Sequence, residues 1–132
     1  GDFLSDGSTE EETKIRLELD KIFNDKLNCT ATCVRVPVKT SHSMSVTLYT
    51  TKPMTYSKVT KLMKKESSLV LYDNYNKGEY PMPVLASDQD LVYVGRIRVS
   101  EDNPRKITLF IVGDQLRKGA ATNALQILFS LI

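Results

Sequence analysis

Apolar residues recur along this chain with two different periods, and the switches between them divide it into elements. Ile15, Leu19, Ile22 and Phe23 repeat every three or four residues, the spacing of one helix face. Ser8 or Thr9 supplies an N-cap hydroxyl, and Glu11 or Glu12 three residues on closes a capping box. The β-branched run from about Ala31 to Val38 predicts a strand. A second strand, about Ser43 to Thr51, sets Met44, Val46, Leu48 and Thr50 on one face and stops before Pro53. Thr55 caps a second helix that turns Val59, Leu62 and Met63 inward, and Ser68 to Tyr72 reads as a short buried strand.

The segment Asp73 to Gln89 has no period; a loop of that length inside a compact domain is usually functional or an arm. Leu91 to Val99 then alternates, with Leu91, Tyr93, Gly95, Ile97 and Val99 on one side and Val92, Val94, Arg96 and Arg98 on the other. Asp102-Asn103-Pro104 turns the chain and Ile107 to Val112 returns as an apolar strand, a hairpin. A last helix, from about Leu116 to the end, is expected to bury Ala120, Ala124, Ile127, Leu128 and Leu131. Strands are not regularly interleaved with helices. The pattern therefore predicts an α+β domain with a mixed, mostly antiparallel sheet and helices on one face, rather than a doubly wound parallel one.

Size and composition narrow the classes. At 132 residues the chain is expected to be one domain, residues 1–132, burying about two thirds of its unfolded surface. Lys and Arg number 18 against 16 Asp and Glu, with no basic tract or aromatic-interleaved patch, so no nucleic-acid partner is expected. No apolar run has spanning length and no signal peptide is present, so no membrane partner is expected either. Cys29 and Cys33, four apart with one distant histidine, do not make a zinc site. On one strand they would lie too far apart for a disulfide. Reduced thiols in a cytoplasmic setting fit best. No G-x-G-x-x-G follows any strand, so the chain carries no dinucleotide-binding half.

The candidate chemistry centres on the only histidine. His42 stands seven residues after Arg35. An imidazole titrates near neutral pH, and a guanidinium holds a carboxylate with two prongs. An unbroken strand would send the two side chains to opposite faces. Pro37 removes a ladder donor and Ser41 favours a turn, so the chain is expected to bend between them and can aim both at one pocket.

The stretch Ala31-Thr32-Cys33-Val34-Arg35-Val36-Pro37-Val38, followed by Ser41-His42-Ser43, resembles the second-domain signature of aspartate-semialdehyde dehydrogenase. Three further segments are similar to that family in its order: Asp6 to Lys14, the pair Tyr80-Pro81-Met82-Pro83 and Tyr93 to Arg98, and Gly113 to Ile127. Together they span nearly the whole chain. The resemblance implies the glyceraldehyde-3-phosphate-dehydrogenase-like C-terminal domain, with an NADP-binding domain that precedes this one and holds most of the cofactor. It implies the reductive dephosphorylation of L-aspartyl-4-phosphate to L-aspartate 4-semialdehyde with NADPH, in aspartate-family amino-acid biosynthesis, by a homodimer.

The resemblance also implies roles for particular residues. His42 would be the acid/base, and Arg35 the clamp on the substrate carboxylate. Glu11 and Lys14, three apart and so on one helix face, would reach the active site, the lysine toward phosphate. Gln115 would lie near the nicotinamide. Asn28-Cys29-Thr30 resembles the family's nucleophile motif, but that motif opens a helix in the first domain, whereas this triplet leads into an expected strand; Cys29 and Cys33 are read as buried structural residues. Two positions depart from the pattern. Ser41 stands where the family usually has Gly, narrowing the turn before His42, and Met44 stands where many members have Glu, removing a charged partner. Two other readings share the architecture: a non-catalytic association module, and a domain of a related acyl-phosphate or acyl-CoA reductase.

Overall fold

The computed structural model describes residues 2–132. The chain divides into two compact units, one ending at Pro37 and one running from Val38 to Ile132. In the first, helix α1 covers Glu10–Phe23. Thr9 Oγ1 accepts the Glu12 N–H at 3.3 Å and Glu12 Oε2 accepts the Thr9 N–H at 2.8 Å, the reciprocal capping box that the sequence predicts. Asn24, in the left-handed region at φ 49°, closes the helix. Ile15 and Leu19 are half-buried, whereas Ile22 and Phe23 of the same stripe are exposed.

The strand expected over Ala31–Val38 is not formed; these residues are irregular, and Val34 is 74% exposed. A strand needs a neighbour for its N–H and C=O groups, and among the described residues this segment pairs with no other. Its Cys33 N–H goes instead to a side chain, Glu12 Oε1, at 2.7 Å. That bond, and then the one from Thr9, holds the Glu12 carboxyl below the usual carboxylate range.

The second unit is built on a four-stranded sheet. Strand β1 is His42–Tyr49, β2 Leu69–Leu71, β3 Val92–Val99 and β4 Lys106–Gly113. They lie in the order β1-β4-β3-β2, with both β4 pairings antiparallel and β2 parallel to β3. This is the mixed, mostly antiparallel sheet that the pattern predicts. Helix α2, Tyr56–Met63, is capped by Thr55 as expected and packs Val59 on the sheet. Val59, Val94, Ile97, Ile107 and Leu109 form the core, extended by Val46, Leu48 and Met63. Leu62, expected inward, is exposed on the outer side of α2.

Strand β3 departs from the alternation read in the sequence. Its register against β4 slips between Gly95 and Arg98, and Arg96 sits at φ 54°. The extra residue is a β-bulge, which changes the phase of the strand. Val94 and Ile97, three apart, consequently share one core, while Arg96 and Arg98 face solvent. The first residue of the aperiodic loop fixes the bulge. Asp73 Oδ1 accepts the Arg96 N–H at 2.9 Å and Oδ2 accepts the Ile97 N–H at 3.2 Å, while the Tyr75 hydroxyl donates to the Ile97 carbonyl. Gly95 is required here, because a Cβ would meet the Tyr72 carbonyl oxygen and stand 2.6 Å from Pro81 Cδ.

The same cluster predicts an alkaline transition. Burial of its hydroxyl end and then the Asp73 carboxylate push the Tyr75 phenol up to about 12. A folded-state value above the ordinary value near 10 gives stability that is full below pH 10 and is lost as pH rises toward 12. Absorbance titration of the phenolates should show a late step near pH 12 that Tyr75→Phe removes; a step persisting unchanged in that variant contradicts the assignment.

Between Asp73 and Gln89 the chain holds one 3₁₀ turn, Tyr75–Lys77, and the four-residue helix α3, Pro83–Ala86. Pro81 presses on Gly95 from the face opposite α2, and Ala86 is fully buried. The rest of that face is open: Ser43, Ser45, Thr47 and Tyr49 of β1 are exposed beside a half-buried Phe110. After β4, one wide turn at Arg117–Ala121 carries i-to-i+5 hydrogen bonds, including Ala121 N–H to Leu116 O at 3.2 Å, and leads into α4, Thr122–Ser130. The final helix exists as predicted, but Ala120, Ala124, Ile127, Leu128 and Leu131 are exposed, not buried. An apolar helix face of this kind lacks its cover among the described residues.

Candidate active site

His42 opens β1, opposite Gly113 in the register, and its side chain is exposed. The turn that delivers it is held from two directions. Ser41 is buried and lies at φ 79°, a conformation that costs a residue with a Cβ and suits glycine, which accounts for the glycine usual at this place in the resembled family. Its N–H donates to Gln115 Oε1 at 2.8 Å, across 74 residues of sequence. Its hydroxyl lies 3.2 Å from Ser87 Oγ, which also accepts the Thr40 hydroxyl at 2.7 Å.

Gln115 reaches this position because Asp114 organises the chain after β4. Asp114 is buried; its Oδ1 accepts the Leu116 and Arg117 N–H groups at 2.8 and 3.1 Å, and its Oδ2 accepts the Asp88 N–H at 2.8 Å. The Asp88 bond first, with those from Leu116 and Arg117, keeps this carboxyl below the usual range against the opposing effect of burial. With Oε1 of Gln115 accepting from Ser41, its NH₂ is the remaining donor end of the amide. The family resemblance implies that Gln115 lies near the nicotinamide. It does not reveal that the same amide fixes the turn before His42, nor that Ser87 in the aperiodic loop does so too.

The other candidates lie in the first unit. Arg35 is exposed within the irregular segment. Glu11 and Lys14 are brought together on α1, with Lys14 Nζ 3.9 Å from Glu11 Oε1 and 4.0 Å from Glu18 Oε1, all exposed. Lys14 lines a shallow groove of about 460 Å³ with Leu4, Thr13 and Leu17; Glu11 does not. Cys29 is half-buried and Cys33 exposed, both as free thiols. This corrects the expectation of buried strand cysteines, and the cause is the missing ladder. Neither opens a helix.

A second groove, about 580 Å³, lies over the bulge among Tyr56, Tyr75, Arg96 and Arg98 and contains none of the candidates. Among the described residues there is no cluster of metal-ligating side chains, and no helix is long and apolar enough to cross a membrane.

His42 is exposed at the edge strand of the second unit, and Arg35 is exposed in the first. Residues 1–118 match the family described as "Semialdehyde dehydrogenase, dimerisation domain", and the chain belongs to that family. Among curated relatives, aspartate-semialdehyde dehydrogenase of Aquifex aeolicus is 40% identical over 126 residues, and that of Campylobacter jejuni 41% over 125 residues. Each comparison covers 95% of this chain but only 37% and 36% of the relative, so the chain spans little more than a third of their length. The crystal structure of aspartate-semialdehyde dehydrogenase II from Vibrio cholerae, complexed with ASA, superposes with a TM-score of 0.89 at 37% identity, covering 96% of this chain and 38% of that one.

Proposed function

We propose that this chain is the substrate-binding and dimerisation part, one domain over residues 1–132, of an enzyme that converts L-aspartyl-4-phosphate to L-aspartate 4-semialdehyde and phosphate with NADPH. The observation that carries the reading is the family match over residues 1–118, supported by relatives named for this activity. Those names do not favour the related acyl-CoA reductase or the purely non-catalytic module. The relatives' greater length supports a cofactor-binding domain and a catalytic thiol supplied by residues outside this sequence; a cytoplasmic location is proposed from the reduced thiols that the composition suggests.

In this reading the thiol attacks the acyl-phosphate carbon, a thioester forms and phosphate leaves. His42 takes the thiol proton as that bond forms, the general-base role that an imidazole most often fills. Arg35 holds the substrate carboxylate with two prongs, fixing the acyl carbon relative to the thiol. Lys14, with Glu11 orienting it, attracts the phosphate oxygens; an exposed ion pair worth little to stability leaves the ammonium available for this. The residues present fit one contact to the cofactor, the Gln115 NH₂ to the nicotinamide carboxamide, and no pyrophosphate cradle. NADPH, when bound, would supply the hydride that reduces the acyl carbon to the aldehyde, the C–S bond breaking as the thiolate leaves and recovers its proton from His42.

Arg35→Lys in the intact enzyme should raise KM for aspartate semialdehyde about tenfold or more with kcat little changed, because lysine keeps the charge and loses the fork. Steady-state kinetics decides this: an unchanged KM removes Arg35 from the site.

Pairing of two copies follows from the open sheet face. A two-fold contact is the commonest way to cover such a surface, and the family description is that of a dimerisation domain. The face is a hydroxyl-rich row with Tyr49 and Phe110, so the contact is expected to mix hydrogen bonds with apolar area and to bury on the order of 2,000 Å² in total. Sedimentation equilibrium of the 132-residue chain at micromolar concentration should give a dimer; a well-folded monomer rules this surface out.

A further inference from the structure

We infer that Ser87 is a positioning residue for His42: its hydroxyl gathers the two residues immediately before the imidazole and fastens them to the loop that carries α3. The inference rests on His42 being the acid/base. It adds a residue that neither the family signature nor the spacing of Arg35 and His42 singles out.

The hydrogen-bond geometry leaves little choice. A serine hydroxyl has one proton and two lone pairs. Ser87 Oγ donates its proton to the Pro83 carbonyl at 2.9 Å, back across the single turn of α3. Both lone pairs then face the His42 turn, accepting the Thr40 hydroxyl at 2.7 Å and the Ser41 hydroxyl at 3.2 Å. Although the Ser41–Ser87 distance alone allows either donor, the commitment to Pro83 makes Ser41 the donor. Every bonding capacity of the Ser87 hydroxyl is used, and two of its three bonds end on residues 40 and 41.

The loop that carries Ser87 is itself anchored. The next residue, Asp88, at φ 62°, donates its N–H to Asp114 Oδ2 at 2.8 Å. Asp90 Oδ1 accepts from Arg117 Nη1 at 3.1 Å and from the Thr122 hydroxyl at 2.6 Å. The loop is therefore tied to the same stretch, Asp114 to Thr122, that presents Gln115 to the Ser41 N–H. Ser41 is held by its backbone from one side and by its hydroxyl from the other, in a left-handed conformation it would otherwise leave. Without Ser87 the buried Ser41 hydroxyl has no acceptor and Thr40 loses its anchor, so the turn relaxes and the first residue of β1 moves with it.

The test is made in the intact enzyme with steady-state kinetics on aspartate semialdehyde, phosphate and NADP. Ser87→Ala should lower kcat about 10-fold to 100-fold, the penalty of a reacting group displaced by about an ångström, with KM within twofold. Ser87→Thr, which keeps the hydroxyl on a backbone already extended at φ −61° and ψ 135°, should restore most of the rate. In a His42→Ala background, Ser87→Ala should cost nothing further, because its effect passes through the imidazole. An undiminished kcat in Ser87→Ala, or an equal loss with and without His42, overturns the inference. Should Ser87→Ala not fold, Thr40→Val removes one donor to Ser87 alone, and a wild-type kcat there overturns it equally. Full turnover in His42→Ala by itself is a different result and refutes the acid/base assignment instead.

Discussion

Replacing His42 by Ala in the intact enzyme is expected to lower kcat by about 10²–10⁴-fold, the usual contribution of a positioned acid/base. KM for aspartate semialdehyde should stay within a few-fold, since the carboxylate clamp is assigned to a different residue. The size follows from what the chain offers for proton transfer. His42 is its only histidine, and its neighbours Ser41, Ser43 and Met44 cannot take a proton near neutral pH. The substitution should leave the fold intact, because the imidazole is exposed and the residue's place in β1 depends on backbone pairing with Gly113. Kinetics beside a thermal melt separates the cases: slow turnover with an unchanged Tm supports the role, whereas full turnover removes it.

The second large effect lies in the core. Ile97→Ala is expected to cost about 2–5 kcal/mol, the range for emptying a fully buried isoleucine site. Val94→Ala should cost less, as fewer atoms are removed. The informative quantity is their coupling. In a straight strand, positions three apart face opposite ways and their losses add. Across the bulge at Arg96 the two side chains share one cluster, so a double-mutant cycle should give an interaction of roughly 0.5–3 kcal/mol. Denaturant unfolding of the four proteins measures it, and strict additivity contradicts the bulged register.

The sequence made visible those elements whose signals are local. Thr9 with Glu12 and Thr55 with its helix carry their caps within three residues, and the β3–β4 hairpin carries its own turn. Three features depended on information not local to them. The Ala31–Val38 run has strand composition, but composition supplies no ladder partner. The bulge in β3 is made by an arginine at positive φ, held by an aspartate 23 residues away, with no glycine to announce it. The last helix has an apolar stripe whose period says that it should be covered, not by what.

The site divides along the same line. Arg35, His42, Glu11, Lys14 and Gln115 are candidates that the family resemblance singles out, and of these only the ion pair between Glu11 and Lys14 follows from helix spacing. The support beneath His42 was not legible. Ser87 lies 45 positions from the histidine it is inferred to position, in a segment without period, and Gln115 reaches Ser41 from 73 positions beyond His42.

The proposed activity is measured as NADP reduction by the intact protein with aspartate semialdehyde, with and without phosphate. Saturable, phosphate-dependent NADPH formation is expected from the intact protein, and only the no-enzyme rate from the 132-residue chain alone. No turnover of aspartate semialdehyde by the intact protein, with brisk turnover of a different aldehyde or of an acyl-CoA, would contradict it.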